Sequence, residues 1–391
     1  MRSGTRWLGL SRVFAVAFGV LFPVLLLAAS LATPVAEERA AQLSRSAQAE
    51  IAAGRFDAAR RHLQAELDLR LQLAASKPAR RDWQRDLTLC HSRLGDAFFA
   101  LGQRDAALVQ HRADLDVARR LALADPDDAR AQRDLSVSLN KVADVVMTQG
   151  DAKAALERYR ESLAIRQALL KSAPDDAQRQ YDVSTGHARI GEAWAALGDS
   201  GTALRSFERA LVLRERLVAN EPNNPRWQHA LSVSHNRVGD TLMALDDSAS
   251  ALANFEADLA ITRALAAARP GDAQAQRELA LSHTRMGTAL LALDDAPSAG
   301  RHLRAVAEIR RRLAQAQPRD ARAQLDWAAA NWQLATLPPV ASDAQARRSA
   351  LRSGIDTLRR LRSVGRLPAS AQQWPARFEA ALQGTETSTS D

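Results

Sequence analysis

The sequence has little of what disulfide scaffolds and β-sheets need. Its 391 residues include one cysteine, Cys90, so no internal disulfide can form. Only 5% of the residues are aromatic, and 18 are glycine. A chain that is 46% apolar, poor in aromatic residues and rich in Ala, Leu and Arg favours helices over strands. That apolar share also excludes intrinsic disorder for most of the chain, because there is ample surface to bury.

A concentrated basic surface is also missing. The formal net charge is +8, but residues 1–36 and 342–391 each contribute +3 of it. The 305 residues between them carry 42 basic and 40 acidic side chains and are nearly neutral. Nucleic-acid binding needs clustered basic side chains that displace phosphate counterions. The charge distribution therefore argues against a nucleic-acid partner.

The amino-terminal segment has the features of a targeting sequence. Residues 13–32 contain no charged side chain and follow Arg2, Arg6 and Arg12. Twenty helical residues span about 30 Å, the thickness of a bilayer core, and the arginines orient the amino terminus to the cytoplasm. Residues 1–36 are thus predicted to be either an uncleaved hydrophobic anchor helix or a signal peptide cleaved near Ala32. The body would then be periplasmic, either as a single-pass inner-membrane protein or after cleavage.

A 48-residue repeat organises residues 37–337. The segments RLGDAF (93–98), RIGEAW (189–194) and RVGDTL (237–242) are equivalent, and prolines such as Pro78 and Pro126 recur at the same step. A turn position recurs with them, at Gly54, Gly102, Gly150, Gly198, Asp246 and Asp294. Features that share one period without an insertion predict an array of stacked structural units.

Each repeat predicts two helices. Apolar residues at spacings of three, four and seven indicate helices at about 83–101 and 105–124. Gly102 follows the first helix, where a left-handed residue closes a helix end. Asp199 and Asp247 are suited to cap second helices, and each recurring proline ends one.

These residues resemble the tetratricopeptide repeat pattern. Leu94-Gly95, Phe98, Gly102 and Ala107 are matched by Ile190-Gly191, Trp194, Gly198 and Ala203. The usual period of that family is about 34 residues, whereas the period here is 48 residues. The chain is therefore similar to a variety of the family with longer helices. The resemblance implies an all-α, right-handed superhelical solenoid of antiparallel helix pairs. About six pairs are expected, followed by a capping helix at 321–336 that has no partner helix. The resemblance also implies structural roles for repeat glycines, namely Gly95, Gly102, Gly150, Gly191, Gly198, Gly239 and Gly287.

The period stops after Leu337, so residues 338–391 form a separate region. A linker is predicted first, then an arginine-rich amphipathic helix at 343–364 with Leu351, Ile355 and Leu358 on its apolar face. A short helix is predicted from 374 to 382, and the final eight residues are predicted to be disordered.

No arrangement of residues predicts catalysis. The sequence has no phosphate-binding glycine loop, no zinc-protease motif and no paired cysteines. Ser138 and Lys141 match the spacing of acyl enzymes, but equivalent positions in other repeats carry similar residues, so the match is a by-product of the repeat. We therefore predict no catalytic residue, no cofactor and no enzymatic activity.

Four histidines recur at one repeat position, and they are His91, His187, His235 and His283. Histidines at equivalent positions of successive repeats are separated by two helix-to-helix distances, about 16–20 Å in total. That is too far for them to share a zinc ion. Structural histidines are thus favoured over a pH sensor, and no metal site is predicted.

Charged residues also recur on the first helices. Basic residues stand three positions before acids, as in Arg93 and Asp96, and predict ion pairs within each helix. The resemblance implies that the acids face a concave groove. The predicted peptide-binding residues are Asn140, Asp144, Met147, Glu192, Asn236, Asp240 and Met243. Acids beside adaptable methionines suit protein segments with basic and apolar side chains.

The sequence as a whole predicts a non-enzymatic protein-interaction scaffold of the bacterial cell envelope, joined to the membrane through its amino-terminal segment. The alternative is a membrane-surface or assembly adaptor that acts through the arginine-rich helix. Neither prediction fixes the partner or the oligomeric state.

Overall fold

The computed structural model describes residues 33–337 and 344–387, and the regular structure within these ranges is entirely helical. This confirms the predicted all-α fold of helix pairs. The predicted hydrophobic helix at 13–32 lies outside the described residues. Within the described ranges no helix is both long enough and apolar enough to cross a membrane.

The first twelve helices of the described ranges have nearly constant length. They are α1 (33–52), α2 (Phe56–Ser76), α3 (Arg81–Ala100), α4 (Arg104–Ala124), α5 (Ala129–Thr148), α6 (Ala152–Ser172), α7 (Ala177–Ala196), α8 (Ser200–Asn220), α9 (Pro225–Met243), α10 (Ser248–Ala268), α11 (Ala273–Ala292), α12 (Ala296–Ala316), α13 (Ala321–Thr336), α14 (Ala344–Ser363) and α15 (Trp374–Thr387). We call the odd-numbered helices from α1 to α13 the first helices, and the even-numbered helices from α2 to α12 the second helices. From α3 to α13, successive first helices begin 48 residues apart.

The chain divides into two compact units, Met1–Pro174 and Asp175–Asp391. Within unit 1, helices α2 to α6 pack mainly against their sequence neighbours in that unit, and within unit 2 helices α7 to α15 do the same. Each unit is therefore a solenoid of stacked helices, as expected when one pair cannot bury its own apolar side. Leu63 and Leu94 belong to the core of unit 1, and Phe255 and Met286 to that of unit 2.

The turns between first and second helices share one backbone conformation. Gly102, Gly150 and Gly198 have φ values of 74°, 91° and 83°, and Asp246 and Asp294 have 61° and 59°. Aspartate reaches this left-handed region at modest cost. The following aspartate caps the next helix; Asp199, for example, accepts a hydrogen bond from the backbone N–H of Thr202 at 2.8 Å.

Glycine lets the two helices of a pair approach closely. A Cβ atom on Gly191 would lie 2.6 Å from the ring of Phe207, and one on Gly95 would lie 2.5 Å from the ring of His111. Gly239 makes the same approach to Phe255. At Gly287 the contact is less close, since a Cβ atom there would lie 3.1 Å from the side chain of Leu303. The second helix thus places a large side chain directly over the glycine of the first.

The carboxyl-terminal region differs from the prediction in two respects. The helix at 321–336 was expected to lack a partner, but α13 packs against α14. The period could not show this, because α14 carries no repeat signature. Helix α15 continues to Thr387, so residues 384–387 are helical rather than disordered, and residues 388–391 lie outside the described ranges.

Candidate functional site

We use the term first-helix face for the predicted groove residues, which lie on α5 in unit 1 and on α7 and α9 in unit 2. Their members are Asn140, Asp144 and Met147 on α5, Glu192 on α7, and Asn236, Asp240 and Met243 on α9. The two units are described separately, so the face is considered within each of them.

In unit 1 the face is less open than the sequence suggests. Asn140 is only 7% exposed, and its side-chain oxygen is buried without a hydrogen-bond partner. Asp144 accepts a hydrogen bond from the hydroxyl of Tyr159 on α6 at 2.7 Å. Met147 is half-buried. Asp144 and Met147 are therefore the accessible members of the predicted trio, and Asn140 belongs to the interior.

In unit 2 the acids of the face already hold basic partners. Glu192 lies 3.2 Å from Arg189 and 2.8 Å from Arg237. Both carboxylate oxygens of Asp240 accept hydrogen bonds from Arg285, at 2.8 and 2.9 Å. Asp240 itself is exposed, and Met243 is half-buried against the core around Phe255. The charge of the acidic column is thus largely compensated.

These contacts correct the predicted ion pairs. Of the predicted pairs within one first helix, Arg189 and Glu192 are found paired in the described structure. The other pairs join residues 45 positions apart on neighbouring first helices, and we call them the charge ladder: Lys141–Asp96, Arg237–Glu192 and Arg285–Asp240. A long basic side chain reaches the acid of the preceding repeat, one turn further along the neighbouring helix. The ladder therefore links repeats, rather than supporting single helices.

The recurring histidines join the two helices of their own pair. In three pairs the Nδ1 atom of the histidine meets a side chain 19 residues later: His91 with Gln110 at 2.8 Å, His235 with Asn254 at 3.1 Å and His283 with His302 at 3.0 Å. Burial, followed by the charges of His302 and Arg263, lowers the pKa of His283 to about 4. A neutral histidine that bridges two helices has a structural role. In the described ranges, no three metal-ligating side chains form a cluster.

Sequence analysis missed charged residues in the interior of the helix pairs. Asp114 is 2% exposed, and burial raises its pKa to about 7. Arg214 is 6% exposed; its guanidinium donates to the hydroxyls of Ser184 and Ser234 at 3.1 and 2.9 Å. The available signal was recurrence: arginine occupies one repeat position at Arg70, Arg166, Arg214 and Arg310, and an acid occupies another at Glu66, Asp114 and Asp258.

The residues of the acyl-enzyme match have other partners. Ser138 is 3% exposed and donates to the carbonyl oxygen of Asp134 at 3.1 Å. Lys141 lies 2.6 Å from Asp96 in the charge ladder. The lysine is thus engaged with a carboxylate, and the serine is closed to solvent.

The arginine-rich helix α14 does not present its apolar side. Leu351, Ile355 and Leu358 are at most 3% exposed and pack in one cluster with Ala328 of α13 and Phe378 of α15. Binding to a membrane surface by an amphipathic helix requires an apolar face that can enter the bilayer. The described structure covers that face, which disfavours the alternative adaptor function.

Comparisons with known proteins agree with this fold. Residues 135–176 match the family model described as Tetratricopeptide repeat. BtubC (BKLC) from P. vanneervenii is 18% identical, with a TM-score of 0.50 over 66% of this chain and 90% of that one. The apo form of RapI is 10% identical, with a TM-score of 0.51 over 83% of this chain and 77% of that one. No curated protein sequence matches the chain significantly. The predicted resemblance to tetratricopeptide repeat proteins is confirmed, and identities this low concern the fold alone.

Proposed function

We propose that this chain is a non-enzymatic protein-interaction scaffold of the bacterial cell envelope that holds partner segments on its first-helix face. Helical repeats of the tetratricopeptide kind commonly serve as scaffolds for protein–protein interaction. They do so because stacked repeats form long surfaces that a partner segment can follow. The observation that carries the proposal is the charge ladder, a partly exposed row of charges with half-buried Met147 and Met243 on the same helices.

The ladder changes how a partner would be recognised. Asp240 uses both oxygens on Arg285, so a basic partner side chain would have to displace an existing base. An exchange of one exposed ion pair for another contributes little free energy. We therefore expect apolar contacts at Met147 and Met243 to supply most of the affinity. The preferred partner is a protein segment with apolar side chains and a few basic ones.

Photocrosslinking in intact cells tests the face. A photoreactive residue replaces Met147 or Met243 of the full chain, and controls carry it at Leu123 or Val212, which are 73% and 46% exposed on second helices. We expect one defined adduct from the first-helix positions and none from the controls. Adducts from the control positions alone would place the partner on the other side and refute the proposal.

The affinity of variants for the partner identified in this way then distinguishes the contribution of apolar contacts from that of charged contacts. We expect Met243→Lys to weaken binding at least as much as Asp240→Lys does, because Arg285 already compensates the acid. The matched control is Glu215→Lys, an exposed acid on α8. Equal weakening by the control would show a general charge effect instead of contact at the face.

We also infer that the body of the protein lies in the periplasm. The inference rests on the uncharged run at 13–32 and the arginines before it. A reporter enzyme that is active only outside the cytoplasm, fused after Asp391, should be active. A full-length product in the membrane fraction indicates an anchor, and a product shorter by about 32 residues indicates cleavage. An inactive periplasmic reporter beside an active cytoplasmic one would contradict export.

A further inference from the structure

A cavity of about 580 Å³ lies near the carboxyl-terminal end of unit 2. It is open to solvent on one side and lies between the end of α12, the start of α13 and the end of α14. Its lining includes Arg319, Trp327, Arg360, Leu361, Val364 and Arg366. Cavities of this volume accommodate small organic molecules. The cavity is separate from the first-helix face and has no part in the function proposed above.

Three arginines line the cavity, and all three are exposed. None of the described residues that line it is a carboxylate, and Asp320, beside Arg319, is paired with Arg277 at 3.0 Å. Arg366 donates to the carbonyl oxygen of Arg319 at 2.8 Å, which ties these two residues together. Three neighbouring positive charges repel one another, and a bound anion would relieve that repulsion. Guanidinium groups are also well suited to bind a carboxylate through two parallel hydrogen bonds.

The remaining lining is mixed, with four polar residues and an apolar part formed by Ala314, Pro318, Trp327, Leu361 and Val364. Leu361 is 5% exposed, whereas Val364 at the rim is 64% exposed. The half-buried indole of Trp327 provides a flat surface against which an aromatic or aliphatic group can pack. The cavity thus combines an anion-binding edge with an apolar wall.

The lining residues are not a by-product of the repeat. Trp327 occupies a position held by leucine or valine in the first helices α3 to α11, at Leu87, Leu135, Val183, Leu231 and Leu279. Arg319 occupies a position held by Ala79, Asp127, Asp175, Asn223 and Gly271. Both substitutions occur only in the last repeat, at the one place where α14 follows a first helix. A site assembled from residues particular to one repeat is what specific binding requires.

We propose that this cavity binds a small organic anion, a carboxylate carried on an apolar body. The carboxylate lies among Arg319, Arg360 and Arg366, and the apolar body packs against Trp327 and Leu361. The geometry requires both parts of the ligand, because the arginines recognise charge and the wall excludes water from the remainder.

Calorimetric titration of the full chain in neutral phosphatidylcholine nanodiscs tests both parts. The probes are 1-naphthaleneacetate, its uncharged amide and inorganic phosphate. We expect saturable binding of the carboxylate and binding of the amide that is weaker by about tenfold or more, since charge-assisted hydrogen bonds are lost. No saturable binding of the carboxylate, equal binding of the amide, or phosphate binding as tight as that of the carboxylate would overturn the proposal.

Variants assign the binding to the cavity. Arg319→Gln/Arg360→Gln should weaken carboxylate binding by about tenfold or more, and Trp327→Leu should weaken it while installing the residue found at equivalent positions. The matched control is Arg304→Gln/Arg322→Gln, which removes the same charge from exposed positions on α12 and α13 and should bind as the parent does. Circular dichroism verifies that each variant is folded. An equal loss in the control, or none in the cavity variants, would refute the site.

Discussion

The approach of Gly191 to Phe207 makes a quantitative prediction for Gly191→Ala. In an open helix this substitution stabilises by about 0.8–1.0 kcal/mol, because alanine restricts the unfolded chain and favours the helix. Here the added Cβ would lie 2.6 to 2.9 Å from three ring atoms of Phe207, which is closer than carbon atoms approach. Overpacking of this kind costs about 1–3 kcal/mol. We expect a net destabilisation of about 1 kcal/mol.

The equivalent Gly287 supplies the matched control. A Cβ atom there would lie 3.1 and 3.2 Å from Leu303, whose flexible side chain can yield by a few tenths of an ångström. Gly287→Ala should therefore leave stability unchanged or raise it slightly. Phe207→Leu reproduces the Gly287 arrangement at the first site and alone should cost about 1 kcal/mol through lost burial. In the double variant the two changes should be much less than additive, because the smaller side chain makes room for the Cβ.

Thermal unfolding followed by circular dichroism at 222 nm measures these differences. For a unit of this size a change of 1 kcal/mol shifts the midpoint by about 2–4 °C. Repeat arrays can depart from two-state unfolding, so the four proteins are compared under identical conditions by midpoint alone. The close-packing argument would be wrong if Gly191→Ala were as stable as the parent, or if Phe207→Leu failed to rescue it.

Three further predictions concern buried charge and modularity. Burial raises the pKa of Asp114 to about 7, above its unfolded value. The contribution of Asp114 to stability is therefore present at low pH and lost as the pH rises through 7. Asp114→Asn should raise the unfolding midpoint more at pH 8 than at pH 4, and an equal gain at both pH values would refute this. Burial lowers the pKa of His283 to about 4. The contribution of His283 to stability is therefore present above about pH 6.5 and lost as the pH falls through 4. The unfolding midpoint of His283→Gln should decrease less between pH 7 and pH 4 than that of the parent, and a steeper decrease would contradict the assignment. Deletion of residues 225–272, one complete repeat, should leave a helical protein with cooperative unfolding, whereas complete loss of helical circular dichroism would count against nearest-neighbour stacking.

The helices were predictable because their signals repeat. The first predicted pair, 83–101 and 105–124, is observed as α3 and α4, Arg81–Ala100 and Arg104–Ala124. Each turn needs a residue with left-handed backbone conformation. Because Asp246 and Asp294 stand where other repeats have glycine, they could be recognised as those residues. Local backbone chemistry determines these features, and a sequence contains all of it.

Features that depend on how helices are placed against one another were not predictable. Lys141 was assigned to its own helix, but it pairs with Asp96, because the offset between neighbouring first helices decides which acid it reaches. Asn140 was assigned to the groove, yet it is 7% exposed, since the rotation of α5 about its axis turns it inward. The partner of α13 was missed because α14 lacks the repeat signature.

The charge ladder has the same direction in each unit. Helix α9 shows the pattern, because its Arg237 pairs with Glu192 of the repeat before it and its Asp240 pairs with Arg285 of the repeat after it. At the carboxyl-terminal end the next acid and the next base would be Thr288 and Gln333, and both are uncharged. At the amino-terminal end Arg93 donates to the hydroxyl of Ser44 instead of a carboxylate. A gene duplication inside such an array reproduces every pair, whereas one appended at either end would add a repeat with no ionic link to its neighbour. The sequence can therefore lengthen from within while its boundaries stay fixed.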